Sequence, residues 1–225
     1  VGESIIFKVR DTQGQAHEYV NYMQSLQLNG RHYFVSGMRA NPQEEFKYLR
    51  IPIDDDFTLQ GFMGLRAVMF DQAAYAEIAN RLSAGALSGR VPDAAIKQKF
   101  ESSVIQLLQG FSAGGYTRIA KMIEEAVPKA EREIAAQTYI KIISSASFEA
   151  YNMSLERAGK KPVAFDMPTQ TFLLESLNAM NDLFFYGTPL YLQITEYEQR
   201  EASGLQLTKS PGKALVYLGS ALLVL

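Results

Sequence analysis

The sequence predicts an α+β protein with an antiparallel, β-rich sheet or sandwich that both chain ends form. β-Branched and aromatic residues with turn signals dominate the first 60 positions and return after position 187. Between these two parts, apolar residues recur every three or four positions, which is typical of helices. We therefore expect a β-rich part (1–60), a helical insertion (61–185), returning strands of the same domain (186–209) and the start of a transmembrane helix (210–225).

The composition excludes several kinds of function. The chain has 225 residues, of which 47% are hydrophobic and 20% are charged, enough for one or two globular domains. Its net charge of -2 provides no basic field for phosphates, so nucleic acid is not an expected partner. Because there is no cysteine, thiol catalysis, disulfide exchange and thiolate metal sites are excluded.

The predicted strands of the first part are separated by turn signals. Asp11 to Gly14 form a turn after the first strand, and Asn29-Gly30 is a strong hairpin signal between two apolar runs. A further strand is stopped by Pro52 and the acidic run that follows it. The predicted strands are residues 4–10, 17–23, 24–28, 31–37 and 46–51.

From about residue 57 the apolar period changes to that of helices. Asp71 is predicted to cap a helix with Ala74, Ile78 and Leu82 on its apolar side, and Asp93 to cap another. That second helix carries an apolar stripe through Ile96, Phe100, Val104, Leu107, Leu108 and Phe111.

The later helices are predicted from proline and glycine signals. Pro128 suits the first turn of a helix that runs to Ala158, where Gly159 provides a left-handed stop. A further helix is expected over residues 169–183.

The end of the chain combines two predicted strands with an apolar run. Residues 190–197 alternate well, and residues 204–208 are a plausible partner strand. Residues 214–225 carry no charge and are apolar on every helical face, yet twelve residues span only about 18 Å of a hydrocarbon layer of about 30 Å. A buried strand or core helix is the ordinary interpretation of such a run. Because the run neither alternates nor ends at a turn signal, a membrane helix cut off at the terminus is an equal alternative.

The residues of this end resemble a known family. Residues 210–213 and 216–225 closely resemble the beginning of the last transmembrane helix of ResB proteins, and residues 191–193 and 202–208 resemble the strand pair before it. The resemblance implies that Ser210, Pro211, Gly212, Tyr217 and Gly219 mark the point at which the chain would enter the membrane. Residues 18–23, 37–42 and 46–52 resemble the family's large extracytoplasmic domain.

The resemblance implies a setting and partners. ResB (also called CcsB) proteins have transmembrane helices before this domain and one after it. The domain would therefore lie on the periplasmic side of the bacterial inner membrane. The family works with a ResC (CcsA) membrane protein in haem delivery and covalent haem attachment to apocytochrome c. Haem is thus possible in the full-length complex, and none is expected in this fragment, because the relay histidines belong to membrane helices and the tryptophan-rich motif to ResC.

No functional residue transfers from the family with a defined role. His17 and His32 are the only histidines, hence weak candidates for haem ligation, although a histidine on a sheet face or surface is the commoner case. Asp54, Asp55 and Asp56 have the oxygen ligands that hard cations take, although a solvated acidic turn is commoner. We predict no metal site and no catalytic residue, so that the chain alone is not an enzyme.

The aromatic residues leave two interpretations open. Tyr19, Tyr22, Tyr33, Phe34, Phe46 and Tyr48 either form the core of the sheet, which we favour, or line a groove for an extended apocytochrome segment. Two other functions also stay open: a membrane-anchored extracytoplasmic ligand-binding or sensor domain, and a hydrolase. The absence of a GxSxG nucleophile motif and the sparse histidines argue against the hydrolase.

Overall fold

The computed structural model describes residues 3–86, 94–186 and 212–223, together with positions 196, 198, 200 and 204. The chain divides into two compact units, Val1–Gln193 and Ile194–Leu225, and each is described by itself. In the described part of the first unit, five antiparallel strands are followed by five α-helices. The strands are β1 (Ser4–Arg10), β2 (Ala16–Tyr22), β3 (Leu26–Leu28), β4 (Arg31–Arg39) and β5 (Lys47–Pro52).

The five strands form one sheet around β4. The order is β1-β2-β4-β3, and β5 also pairs with β4. Strands β2 and β3 pair with different parts of one edge of β4, and β5 pairs with the opposite edge. Asn29 and Gly30 have φ angles of 51° and 78°, so the predicted hairpin between β3 and β4 is confirmed. Pro52 is the last residue of the edge strand β5, where a missing N–H is tolerated.

The helices confirm the predicted change of period. They are α1 (Gln60–Met69), α2 (Tyr75–Ala86), α3 (Ala94–Ala126), α4 (Arg132–Arg157) and α5 (Met167–Tyr186), and short 3-10 turns precede α2 and α4. Asp71 accepts a hydrogen bond from the backbone N–H of Ala73 (3.0 Å), as its predicted capping role requires. Asp93, the other predicted cap, lies outside the described residues.

The end of α4 is closed by a Schellman motif. Gly159 has a φ of 71°, its N–H donates to the carbonyl of Glu156, and the N–H of Lys160 donates to that of Leu155. The predicted left-handed stop at Gly159 is therefore confirmed.

One face of the sheet packs on the helices and forms the core. Tyr19, Met38, Leu49 and Ile51 point to this side and join the buried helix residues in a single hydrophobic cluster. A buried polar contact accompanies them, because the Ser36 hydroxyl donates to Asn21 Oδ1 and lies 2.7 Å from the Tyr186 hydroxyl at the end of α5. Hydrogen bonding of this kind makes burial of Ser36 and Asn21 tolerable.

Helix α3 is broken at two adjacent glycines. Gly115 has φ 60° and ψ -150°, a conformation that is essentially restricted to glycine. A Cβ atom there would lie 2.5 Å from Asn181 Oδ1, which instead accepts a hydrogen bond from the N–H of Tyr116. The break therefore lies against Asn181 of α5.

The second unit contains a helix, α6 (Lys213–Leu223). The strands predicted for residues 190–197 and 204–208 lie outside the described residues, except for single positions, so that the contribution of the C-terminal end to the sheet stays a prediction. The described tail is helical. Among the described residues, no helix combines the length and the apolar character needed to cross a membrane, so the start of a transmembrane helix is not confirmed.

Candidate functional site

The side of the sheet that faces away from the core presents an apolar row across four strands. Side chains alternate between the two faces of a strand, so the neighbours of the core residues Tyr19 and Leu49 point to this other side. The register aligns Ile6 with Val20, Val20 with Gly37, and Gly37 with Tyr48. We call this whole side of the sheet, which faces away from the helices, the outer face.

Gly37 has a specific role in this row. A Cβ atom at Gly37 would lie 2.7 Å from Cγ1 of Val20 and 2.9 Å from the ring of Tyr48. The missing side chain therefore lets the Tyr48 ring lie down on the sheet beside Val20. Tyr48 remains 50% exposed and Ile6 58% exposed, so the row presents apolar surface to solvent.

A pocket of about 260 Å³ lies beside this row. Val35, which is 5% exposed, contributes to its wall, and the rings of Tyr22 and Tyr48 lie with their centroids 6.5 Å apart. A hydrogen bond with Tyr22, and after it burial, raises the pKa of Tyr48. The remaining lining residues are Gln24, Ser25, Leu26 and Arg50.

On the side of the apolar row opposite the pocket, the neighbouring row consists of charged residues that pair with one another. Arg39 forms an ion pair with Glu18 (3.1 Å), and Lys8 is the register partner of Glu18 on β1. The Arg39 guanidinium also lies 4.4 Å from the centre of the Phe46 ring, a cation–π contact. These contacts satisfy Arg39 within the sheet.

Arg50 differs from the other arginines of β4 and β5. Arg31 lies 3.7 Å from Glu175 and donates to the carbonyl of Pro168 (2.8 Å), and Arg39 is paired with Glu18. Arg50 is exposed and makes no ion pair or hydrogen bond through its side chain with any residue in the described part of the chain. Among the described residues, no carboxylate therefore compensates its positive charge at the pocket.

The two histidines are not brought together. His17 is on β2 next to Glu18, and Glu18 pairs with Arg39 on β4. His32 is also on β4, seven residues before Arg39. That separation corresponds to about 23 Å at about 3.3 Å per residue, so the two imidazoles cannot ligate one iron. Nδ1 of His17 is buried without a hydrogen-bond partner among the described residues, whereas Nδ1 of His32 lies 3.1 Å from the Ser25 hydroxyl.

The acidic turn has a structural function in its first residue. The Asp54 carboxylate accepts hydrogen bonds from the N–H and hydroxyl of Thr58 (both 2.7 Å) and from the N–H of Gly61 (2.8 Å). Asp56 pairs with Lys160 at 2.7 Å. Across the described ranges, no three histidine or carboxylate side chains converge in a way that would hold a metal ion.

The aromatic set is divided between the two faces of the sheet. Tyr19 is in the core and stacks on Phe7 with ring centroids 5.4 Å apart, as the core interpretation predicts. The Tyr33 hydroxyl donates to Glu175 (2.5 Å). Burial and this hydrogen bond raise the pKa of Tyr33 to about 12. Phe34 is half-buried. For Tyr48 the core interpretation is wrong, since its ring lies on the outer face with those of Tyr22 and Phe46.

Comparison with known protein families decides the relationship of the chain. The model of the ResB-like family matches residues 1–225. The chain belongs to the ResB-like family. Membership indicates a role in cytochrome c biogenesis for this ResB-like chain, in a family of membrane-associated proteins. Searches of curated proteins and of solved structures each returned no match.

The ResB-like motif at the C-terminal end lies partly in α6. Gly212 forms the turn before the helix, Tyr217 and Gly219 are within it, and Ser210 and Pro211 lie outside the described residues. The Lys213 ammonium is 6.0 Å from the centre of the Tyr217 ring. The apolar side chains of α6 are highly exposed: Leu215 75%, Val216 67%, Leu218 63%, Leu222 66% and Leu223 88%.

Sequence reasoning named Tyr22, Phe46 and Tyr48 but missed Val35 and Arg50. Alternation along β5 was the available signal, because it places Tyr48 and Arg50 on the same face. The pairing of Val35 with Arg50 depends on the register between β4 and β5, which the sequence does not specify.

Proposed function

We propose that this ResB-like chain is the extracytoplasmic part of a membrane-anchored subunit of a cytochrome c assembly complex. The subunit would work with a ResC (CcsA) type membrane protein in haem delivery and covalent haem attachment to apocytochrome c. The family match over residues 1–225 is the observation that carries the proposal. The domain would lie on the periplasmic side of the bacterial inner membrane.

The exposed apolar surface of α6 supports membrane anchoring. Large contiguous apolar surfaces are uncommon on soluble monomers and mark sites of contact with membranes or other proteins. Leu215, Leu218 and Leu222 follow helical spacing, and each is more than 60% exposed. In this proposal the helix continues a membrane segment of the intact protein.

The proposed role is positional and not catalytic. His17 and His32 lie too far apart to ligate one haem together, and Nδ1 of His32 already faces the Ser25 hydroxyl. The described residues therefore do not fit a haem bound between two histidines, and we assign haem handling to the rest of the complex. The domain itself would hold apocytochrome near the point at which ResC releases haem.

The test is deletion of the intact protein in its own cells, followed by haem staining of c-type cytochromes after denaturing electrophoresis. We expect covalent cytochromes to be lost and to return when the intact protein is supplied again. Normal covalent cytochromes in the deletion strain, with no second copy of the gene, would refute the proposal. An anchored ligand-binding or sensor domain predicts that normal result, together with a small molecule retained by the purified protein.

The anchoring part is tested with matched variants of the intact protein. Leu218→Arg places a charge in the apolar segment, which costs about 2.5–3.5 kcal/mol at the centre of a membrane helix. We expect fewer covalent cytochromes in cells that make this variant. Lys141→Glu, an exposed change on α4, is the control and should behave as the wild type. Because the transmembrane helices expected before the domain would hold either variant in the membrane, the readout is haem staining, and equal levels of covalent cytochromes with both variants would contradict the placement of α6 in the bilayer.

A further inference from the structure

We infer that the pocket on the outer face binds an extended polypeptide segment that presents an apolar side chain to the pocket and a carboxylate to Arg50. The inference rests on the proposed function only for the identity of that segment, which would then belong to an apocytochrome. The chemistry of recognition is argued from the pocket itself.

The size of the pocket favours a side chain over a whole cofactor. Its volume of about 260 Å³ is below the range of about 300–1,000 Å³ that is usual for sites of drug-sized ligands. Val35 and Leu26 provide apolar lining, and the rings of Tyr22 and Tyr48 stand beside them. A large apolar or aromatic side chain of another polypeptide fits such a site.

The charge at the pocket favours an anionic partner. Among the described residues that line it, Arg50 is the one that carries a charge. Its neighbours Arg31 and Arg39 have carboxylate partners within 4 Å, whereas Arg50 has none among the described residues. A carboxylate on the partner would supply the missing counter-charge and is recognised well by the planar guanidinium.

The spacing of the two features favours an extended segment. Tyr48 and Arg50 are two residues apart on β5 and point to the same face, which corresponds to about 6.7 Å. In an extended polypeptide, side chains at positions i and i+2 also share a face and have the same spacing. A segment that lies along β5 thus places the side chain of its residue i against Tyr48 and the side chain of its residue i+2 beside Arg50.

The test uses the 225-residue chain and short fluorescein-labelled peptides in fluorescence polarisation. The first peptide is built of serine and threonine and carries a phenylalanine with a glutamate two positions later. Three relatives replace the glutamate with glutamine, the glutamate with lysine, or the phenylalanine with alanine. The protein variants are Arg50→Glu and, as a matched control of an exposed cation, Lys141→Glu.

We expect the glutamate peptide to bind the wild type and the Lys141→Glu control equally. The glutamine peptide should bind about twofold to fivefold more weakly, as expected for an exposed ion pair, and Arg50→Glu should weaken the glutamate peptide at least as much. The lysine peptide should regain affinity for Arg50→Glu, which a merely structural role of Arg50 would not produce. The alanine peptide should bind about tenfold more weakly.

Three results would overturn the inference. One is no binding of the glutamate peptide to a wild type whose far-UV circular dichroism shows a folded chain. Another is an unchanged affinity in Arg50→Glu. The third is self-association of the wild type in analytical ultracentrifugation that Arg50→Glu abolishes, which would assign the outer face to a second copy. These binding results are independent of the cytochrome content of the deletion strain, so the proposed function can hold even if this inference fails.

Discussion

Asp54 joins the sheet to the helices, and its replacement is a direct test of the fold. Its carboxylate, just beyond the end of β5, accepts two hydrogen bonds from Thr58 and one from the N–H of Gly61 in the first turn of α1. Gly61 permits this approach, because a Cβ atom there would lie 2.9 Å from Cβ of Asp54. Asp55 is in the same acidic run, is exposed, and makes no such contacts within the described residues. The pair is therefore matched in chemistry and differs in structure.

The expected cost follows from the three hydrogen bonds. Asp54→Ala leaves the N–H groups of Thr58 and Gly61 without their acceptor, and loss of a capping side chain typically costs about 0.5–2 kcal/mol. Bonds to a charged acceptor are stronger than neutral ones, but the site is only partly buried, so water replaces part of the loss. We expect a decrease of about 2 kcal/mol in the free energy of unfolding for Asp54→Ala, and about half of that for Asp54→Asn. Asp55→Ala should change it by less than about 0.5 kcal/mol.

The measurement is urea unfolding followed by far-UV circular dichroism, since the chain has no tryptophan to report on its packing. Thermal unfolding should agree, with a fall of roughly 4–8 °C for a chain of this size. Equal stability of Asp54→Ala and Asp55→Ala would refute the reasoning and show that the contacts of Asp54 contribute no more than those of an ordinary surface residue.

Two further predictions concern the core. Gly115→Ala should lower the free energy of unfolding by about 2–4 kcal/mol, because it combines a strained backbone with a contact of 2.5 Å to Asn181 Oδ1. Gly114→Ala is the control, and it should cost clearly less in the same urea experiment because Gly114 has an extended φ of -177°. Equal costs of the two substitutions would contradict this account. Burial raises the pKa of Tyr186 from 10.0 to about 12, so the stability it contributes is present below pH 10 and is lost as the pH rises towards 12. Tyr186→Phe should therefore lose less stability than the wild type between about pH 10 and about pH 12, and a parallel loss in both would contradict this assignment.

Local signals predicted those parts of the fold that are determined by a few neighbouring residues. Asn29-Gly30 at the hairpin, Asp71 at its helix start and Gly159 at the end of α4 all have the predicted conformation, because turn and capping geometry depends on the local chain. The break in α3 was not predicted. Gly114-Gly115 interrupts the helix, and the break is matched by Asn181 of α5, which is distant in sequence and accepts a hydrogen bond from the N–H of Tyr116.

The candidate site was less predictable, because its residues are assembled across strands. Arg39 and Arg50 look alike in the sequence, as isolated cations among apolar strand residues. Pairing of β2 with β4 brings Glu18 to Arg39 and satisfies its charge, whereas pairing of β4 with β5 brings only Val35 to Arg50. A shift of one residue in either register would reverse which face these side chains occupy. Among the described residues, strand register thus leaves Arg50 beside an apolar pocket without a carboxylate partner, and the affinity of the peptide with glutamate two positions after phenylalanine tests whether that charge recognises one.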